Sequence, residues 1–122
     1  MTRLTFAIGA VVCAVVLGTA LRAQDATKKA YVLVQVAVSN PQQYGEYMKL
    51  SPGIIEKFGG RFIVRGGRTE TLEGTPATGR YVVVEFPSFE RARQFYNSTE
   101  YQAARKVRSG AAEAQFILVE GR

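Results

Sequence analysis

Apolar side chains recur at every second position in four short stretches of the chain, and at helical spacing between them. Tyr31 to Val38 is rich in β-branched residues and predicts a strand. It ends at Ser39-Asn40-Pro41, where Asn40 suits a helix N-cap and Pro41 the first helical position. The helix that follows carries Tyr44, Tyr47 or Met48, and Leu50. Pro52 predicts a kink, or a second short helix restarting near Ser51, because proline lacks the N–H that a helix interior needs. Ile54, Ile55 and Phe58 extend the apolar stripe until Gly59-Gly60 stops it. Arg61–Arg65 is a second strand closed by Gly66-Gly67, which read as a bulge or bend. Residues 68–79 read as a hairpin-like connection, with a short extended piece at 69–72.

Tyr81–Phe86 is the third strand, ended by Pro87. Ser88 can cap a helix that buries Phe89, Ala92 and Phe95 or Tyr96. Asn97-Ser98 marks a break, a further helix runs to about Arg108, and Glu113–Glu120 forms the last strand. The order is β-α-β-β-α-β, a ferredoxin-like α+β arrangement with a four-stranded antiparallel sheet.

Alternation divides the strands into two faces. One collects Val32, Val34, Val36, Phe62, Val64, Val82, Val84, Phe86, Phe116 and Leu118, all apolar, and should lie beneath the helices. The other is mixed: Tyr31, Leu33, Gln35, Ala37, Arg61, Ile63, Arg65, Tyr81, Val83, Glu85, Glu113, Gln115, Ile117 and Val119. It is too apolar for bulk water and too polar for an ordinary core. A face of that kind suits a second copy of itself, so a homodimer joined through the sheet is expected; a monomer with a partly solvated sheet is the alternative.

The N-terminus follows a different pattern. Arg3 precedes an uncharged stretch from Leu4 to Leu21, and small residues follow at Gly18-Thr19-Ala20 and Ala23. This is the layout of a secretory signal peptide, cleaved after Ala23 or Ala20; about 18 apolar residues could also serve as an uncleaved membrane anchor. The expected division is a signal peptide at 1–23, a polar linker at 24–30 and one domain at 31–121. The mature protein would be periplasmic or extracellular, and would touch a membrane only if the leader stays attached. Cleavage removes the single cysteine, Cys13, and lowers the net charge from +6 to +4 as Arg3 and Arg22 leave.

The sequence contains no histidine. With Cys13 gone as well, the usual ligands of zinc, copper, haem and iron–sulfur centres are missing, as are His-based triads and cysteine nucleophiles. No metal and no cofactor is expected. Basic residues are dispersed rather than clustered with aromatic platforms, which argues against nucleic acid as a partner.

The candidate chemistry lies on the mixed face. Arg65 and Glu85 are the candidate catalytic pair: a guanidinium could hold a carboxylate or enolate while Glu85 moves a proton. The same pair, or Arg61 with Glu85, could instead be an ion pair that sets dimer register. Gln35 and Arg61 are candidate ligand-binding groups, with Tyr44 and Tyr96 shaping a pocket between helices and sheet. The run Gly59–Arg68 lacks the spacing of a phosphate-binding loop, and its centre is a strand.

Gly59-Gly60-Arg61-Phe62-Ile63-Val64-Arg65-Gly66-Gly67, Glu85-Phe86-Pro87-Ser88, Tyr96-Asn97-Ser98, Glu100-Tyr101, Arg108 and Val119-Glu120-Gly121 resemble the family catalogued as domain of unknown function 1330. The resemblance runs from about Ala30 to Gly121. It implies a ferredoxin-like fold of the dimeric α/β-barrel superfamily, two sheets facing each other, and no settled activity. Two functional expectations follow. One is an exported homodimer that binds a small anionic or aromatic compound, with cofactor-independent catalysis as its enzymatic form. The other is a non-catalytic exported interaction module whose polar sheet face only builds the dimer interface.

Overall fold

The computed structural model describes residues 28–122. The leader, its cleavage sites, Cys13 and most of the linker lie outside the described residues. Strand β1 is Ala30–Val38, β2 Arg61–Arg65, β3 Arg80–Phe86 and β4 Ala112–Glu120; helix α1 is Pro41–Lys57, α2 Phe89–Asn97 and α3 Thr99–Val107. All strand pairs are antiparallel and the sheet order is β2-β3-β1-β4. Among the described residues no helix is long and apolar enough to cross a membrane.

Local signals explain most boundaries. The Asn40 side chain accepts from the Gln43 N–H, and Pro41 begins α1. At the other end Gly59 has φ +80°, its N–H donates to Glu56 O, and the Gly60 N–H donates to Ile55 O. These are the two bonds of a Schellman stop, which needs a left-handed residue at its corner. Ser88 and Ser98 cap α2 and α3 through their hydroxyls. Pro52, however, lies inside one continuous 17-residue helix rather than dividing it. Proline removes only the bond to Met48 O, and the buried side of α1 (Tyr44, Tyr47, Ser51, Ile55) keeps its helical spacing on either side.

The helices cover one face. Val32, Val34, Val36, Val82, Val84 and Phe86 are buried beneath Tyr44, Tyr47, Ile55, Ala92, Phe95 and Tyr101. Burying each large side chain stabilises the fold by about 1.5–3 kcal/mol. The opposite face has no layer above it among the described residues, and Leu33, Val64, Ile117 and Val119 remain between 40 % and 47 % exposed.

The faces of β1, β3 and β4 follow strict alternation, but those of β2 do not. Arg61 pairs with Glu85 and Phe62 with Val84; the register then slips, so that Val64 pairs with Val83 and Arg65 with Val82. Ile63 is the extra residue of a β-bulge. One inserted residue reverses the side on which every later side chain emerges. Val64, expected in the core, lies on the open face, and Arg65, expected on the open face, points to the helix side.

Candidate functional site

The bulge separates Arg65 from Glu85, so the two do not form the expected catalytic pair. Glu85 stays on the open face, where its Oε1 accepts from Arg61 Nε at 2.9 Å and Lys29 Nζ at 3.2 Å. The Arg61 hydrogen bond, with Lys29 assisting, holds the carboxyl below the ordinary glutamate range despite some desolvation. Gln35 shares that face and donates to Thr78 O at 3.0 Å. Arg61, Glu85 and Gln35 are thus engaged with protein groups.

Tyr96 belongs to neither face as a site residue. It is half-buried on α2, its ring 5.5 Å from that of Tyr101 and 6.0 Å from that of Phe116, with the Arg105 guanidinium 5.9 Å above it. This is packing, with a cation–π contact at its rim.

Arg65 and Tyr44 do come together, in a cleft between α1 and the sheet. Tyr44, Tyr47, Met48, Ser51 and Ile55 form one wall, and Val32, Val34, Phe62, Arg65, Arg80, Val82, Val84 and Phe116 the other, with Phe95 at the base. Its free volume is about 40 Å³, room for a few waters or a small polar group. No carboxylate lines it.

Each polar group is placed by a local feature. The bulge turns Arg65 inward, where its guanidinium stacks 4.2 Å from the Phe62 ring. Arg80 opens β3 at a position facing the helices, because Val82, two residues on, is a core residue. Its Nη1 lies 3.9 Å from Met48 Sδ, a weak contact, and its buried Nε has no partner. Gly66 makes room for it: φ there is +66°, and a Cβ would lie 2.7 Å from Arg80 Nε. Tyr44 reaches in from α1. Burial raises its pKa, while the charges of Arg80, Arg108 and Arg65 pull it back.

A second cluster adjoins the cleft through Tyr47, one of its lining residues. Tyr47 Oη and Tyr101 Oη are 2.7 Å apart and buried. The Arg108 guanidinium sits 5.1 Å from the Tyr47 ring and 5.2 Å from the Phe116 ring. Arg108 is only 9 % exposed, and its Nε has no hydrogen-bond partner. Burial works against its charge, yet its pKa is raised, because the Tyr101 and Tyr47 oxygens lie beside it. Burial, and then the neighbouring Tyr101, push the Tyr47 pKa far above the tyrosine range.

Sequence reading passed over Arg80; it set Tyr47 and Tyr101 beside Tyr44 and Tyr96 as helical tyrosines that pack or shape a pocket, and met Arg108 only as a helix end and in the family resemblance. A signal for Arg80 was present: it continues the core-facing alternation of Val82 and Val84 by one step toward the N-terminus. For the Tyr47–Tyr101–Arg108 cluster there was none, since its members meet only through the packing of α1 on α3.

Helices on one face of a four-stranded antiparallel sheet, with a cation-lined cleft between the layers, define a ferredoxin-like α+β protein. The chain belongs to the family described as domain of unknown function (DUF1330), whose model matches residues 29–122. No curated protein matches it. Among solved structures it is similar to a protein of unknown function from Rhodopseudomonas palustris, with 22 % identity over 84 % of this chain and 89 % of that one (TM-score 0.60). The methylated form of that protein gives 21 % identity over 87 % and 90 % of the two chains (TM-score 0.64). A hypothetical Arabidopsis thaliana protein shares 11 % identity over 79 % and 87 % of the two chains (TM-score 0.52). At these identities the likeness is one of fold.

Proposed function

We propose that this protein is an exported homodimer that binds a small anionic compound, carboxylate or aromatic, in the cleft between α1 and the sheet. One observation carries the binding reading. Two guanidinium groups, Arg65 and Arg80, line a largely apolar cleft that holds no carboxylate, and Arg80 Nε is buried without a partner. A buried donor without an acceptor costs about 1–3 kcal/mol, and a ligand oxygen would recover that. Arginine is suited to it, because its planar fork can take both oxygens of a carboxylate.

The cleft offers donors and cations but no imidazole or carboxylate that could accept a proton. Its residues can bind and polarise an anion or enolate, which favours ligand binding over acid–base catalysis. The open sheet face supports the homodimer, since its exposed Leu33, Val64, Ile117 and Val119 would be covered by a second copy. Export rests on the apolar leader before the domain and is checked by the mass of the mature N-terminus.

The alternative, an interaction module whose polar groups only build an interface, accounts for Glu85, Arg61 and Lys29. It leaves Arg65 and Arg80 unexplained. Thermal-shift titration of the protein with acetate, butyrate and benzoate, each beside its amide, tests the proposal. Carboxylates should raise the melting temperature where amides do not, because a ligand stabilises the state that binds it. Arg80→Met should remove the shift. Equal responses to acids and amides would refute an anion site.

A further inference from the structure

We infer that Tyr47 is the hydrogen-bond donor at the inner end of this cleft, and that Tyr101 and Arg108 are the positioning residues that aim its hydroxyl at a ligand oxyanion. The inference rests on the cleft being the binding site and names the group that meets the ligand's negative atom.

The number of hydrogens on the two hydroxyls sets the direction of their bond. A guanidinium only donates, so Arg108, 5.1 Å from the Tyr47 ring, offers neither hydroxyl an acceptor. The two hydroxyls carry two hydrogens between them, and one of these forms the 2.7 Å bond that joins them. No acceptor among the described residues takes the other. Tyr101 is 0 % exposed and does not line the cleft, whereas Tyr47 does. The arrangement that leaves no hydrogen sealed in the core has Tyr101 donating to Tyr47, and Tyr47 donating into the cleft.

Charge fixes what the acceptor should be. Arg108 is buried, has no carboxylate partner among the described residues and has an unpartnered Nε. Its field is therefore uncompensated and acts through Tyr101 on Tyr47, making the outer hydroxyl a stronger donor. The Tyr47 hydroxyl also stays protonated through the physiological range. An anionic oxygen, from a carboxylate or an enolate, matches a protonated donor backed by a buried cation; a cationic or purely donor ligand does not. The cleft's free volume of about 40 Å³ suits such a head group, with the rest of the molecule lying outward along Met48, Phe62 and Arg65.

The test uses benzoate and its neutral counterpart benzamide, followed by calorimetry and by the Cζ resonances of carbon-13-labelled tyrosines. In the unaltered protein, benzoate should bind more tightly than benzamide and move the Tyr47 Cζ resonance, assigned as the signal missing in Tyr47→Phe. Tyr47→Phe should weaken benzoate roughly tenfold or more, the usual cost of a lost hydrogen bond to a charged group, and leave benzamide nearly unchanged. Tyr101→Phe keeps Tyr47 but removes its neighbour; it should weaken benzoate by a smaller factor and reduce the benzoate-induced movement of Tyr47 Cζ, which a purely packing role would not alter. If Arg80→Met weakens benzoate while Tyr47→Phe leaves it unchanged, the cleft reading stands and the Tyr47 inference is overturned. If benzoate and benzamide bind the unaltered protein alike, or neither binds, the cleft reading fails and this inference with it.

Discussion

Arg61 and Arg65 bracket one five-residue strand, yet they live in different environments. Arg61 lies on the open face and pairs with Glu85, which Lys29 also contacts. Arg65 lies on the helix side of the sheet, partly exposed, stacked on Phe62 and lining a cleft without a carboxylate. Residues four apart in a regular strand share a face, so the contrast is entirely the work of the bulge at Ile63. The comparison extends to the whole sheet. On the open face, Glu85 is matched by Arg61 and Lys29 and apolar side chains remain exposed; on the helix face, apolar side chains are buried and the arginines have no carboxylate partner among the described residues. On the proposed reading the open face is the contact surface and the covered face the binding site.

The difference between the faces should be plainest in stability. Phe95→Ala, at the buried base of the cleft, should destabilise the domain by about 3–5 kcal/mol in chemical denaturation. Ile117→Glu on the open face should instead convert a dimer to a monomer in sedimentation while the fold survives. An unchanged sedimentation coefficient in Ile117→Glu would remove the open face as the dimer surface.

Deleting Ile63 addresses the bulge itself. Without the extra residue the strand pairs regularly, with Val64 still opposite Val83 and Arg65 still opposite Val82, so Arg65 should keep its place in the cleft and carboxylate binding should stay well above that of Arg65→Met. Circular dichroism should keep its α+β character. Binding that falls to the level of Arg65→Met after the deletion would mean that the bulge does more than set the side on which Arg65 emerges.

A third contrast is in alkaline pH. Tyr47 keeps its proton in the folded state, whereas in the unfolded chain tyrosine releases it near pH 10. Between those values the unfolded state binds fewer protons, so this contribution to stability is full below about pH 10 and declines as pH rises further. Tyr47→Phe should flatten the alkaline limb of a melting-temperature profile, and an identical limb would place the Tyr47 hydroxyl in water.

The smallest effect belongs to Glu85 and has the opposite sense. Its folded pKa is lowered by Arg61, so its contribution is full above the ordinary carboxylate range and lost as pH falls through the lowered value. Exposed pairs contribute little, and Glu85→Gln should flatten the acid limb only slightly. It should leave benzoate binding untouched, because it lies on the other side of the sheet. Loss of binding in Glu85→Gln would collapse the distinction between the two faces.

Much of this architecture was legible without coordinates. The element order, the caps at Asn40 and Ser88, the break at Asn97-Ser98, the stop at Gly59-Gly60 and the two faces of β1, β3 and β4 follow from local steric preference and two-residue alternation, which neighbouring residues impose on one another. Tyr44 was placed in a helix–sheet pocket by the same periodicity. Pro52 misled, because a single lost backbone bond is tolerated when the buried side of α1 holds the helix on both sides of it. The position of Arg65 was illegible for a different reason. A bulge is a property of two paired strands, and nothing within Arg61–Arg65 states how β2 will register against β3. The meeting of Tyr47 with Tyr101, 54 residues apart, is likewise a product of α1 packing on α3. By itself the sequence determined which residues can be strand, helix or stop, and that one face must be buried. Only the tertiary structure decided which arginines keep a partner and which line a cleft without a carboxylate, because inter-strand pairing and helix packing alone bring distant side chains into contact.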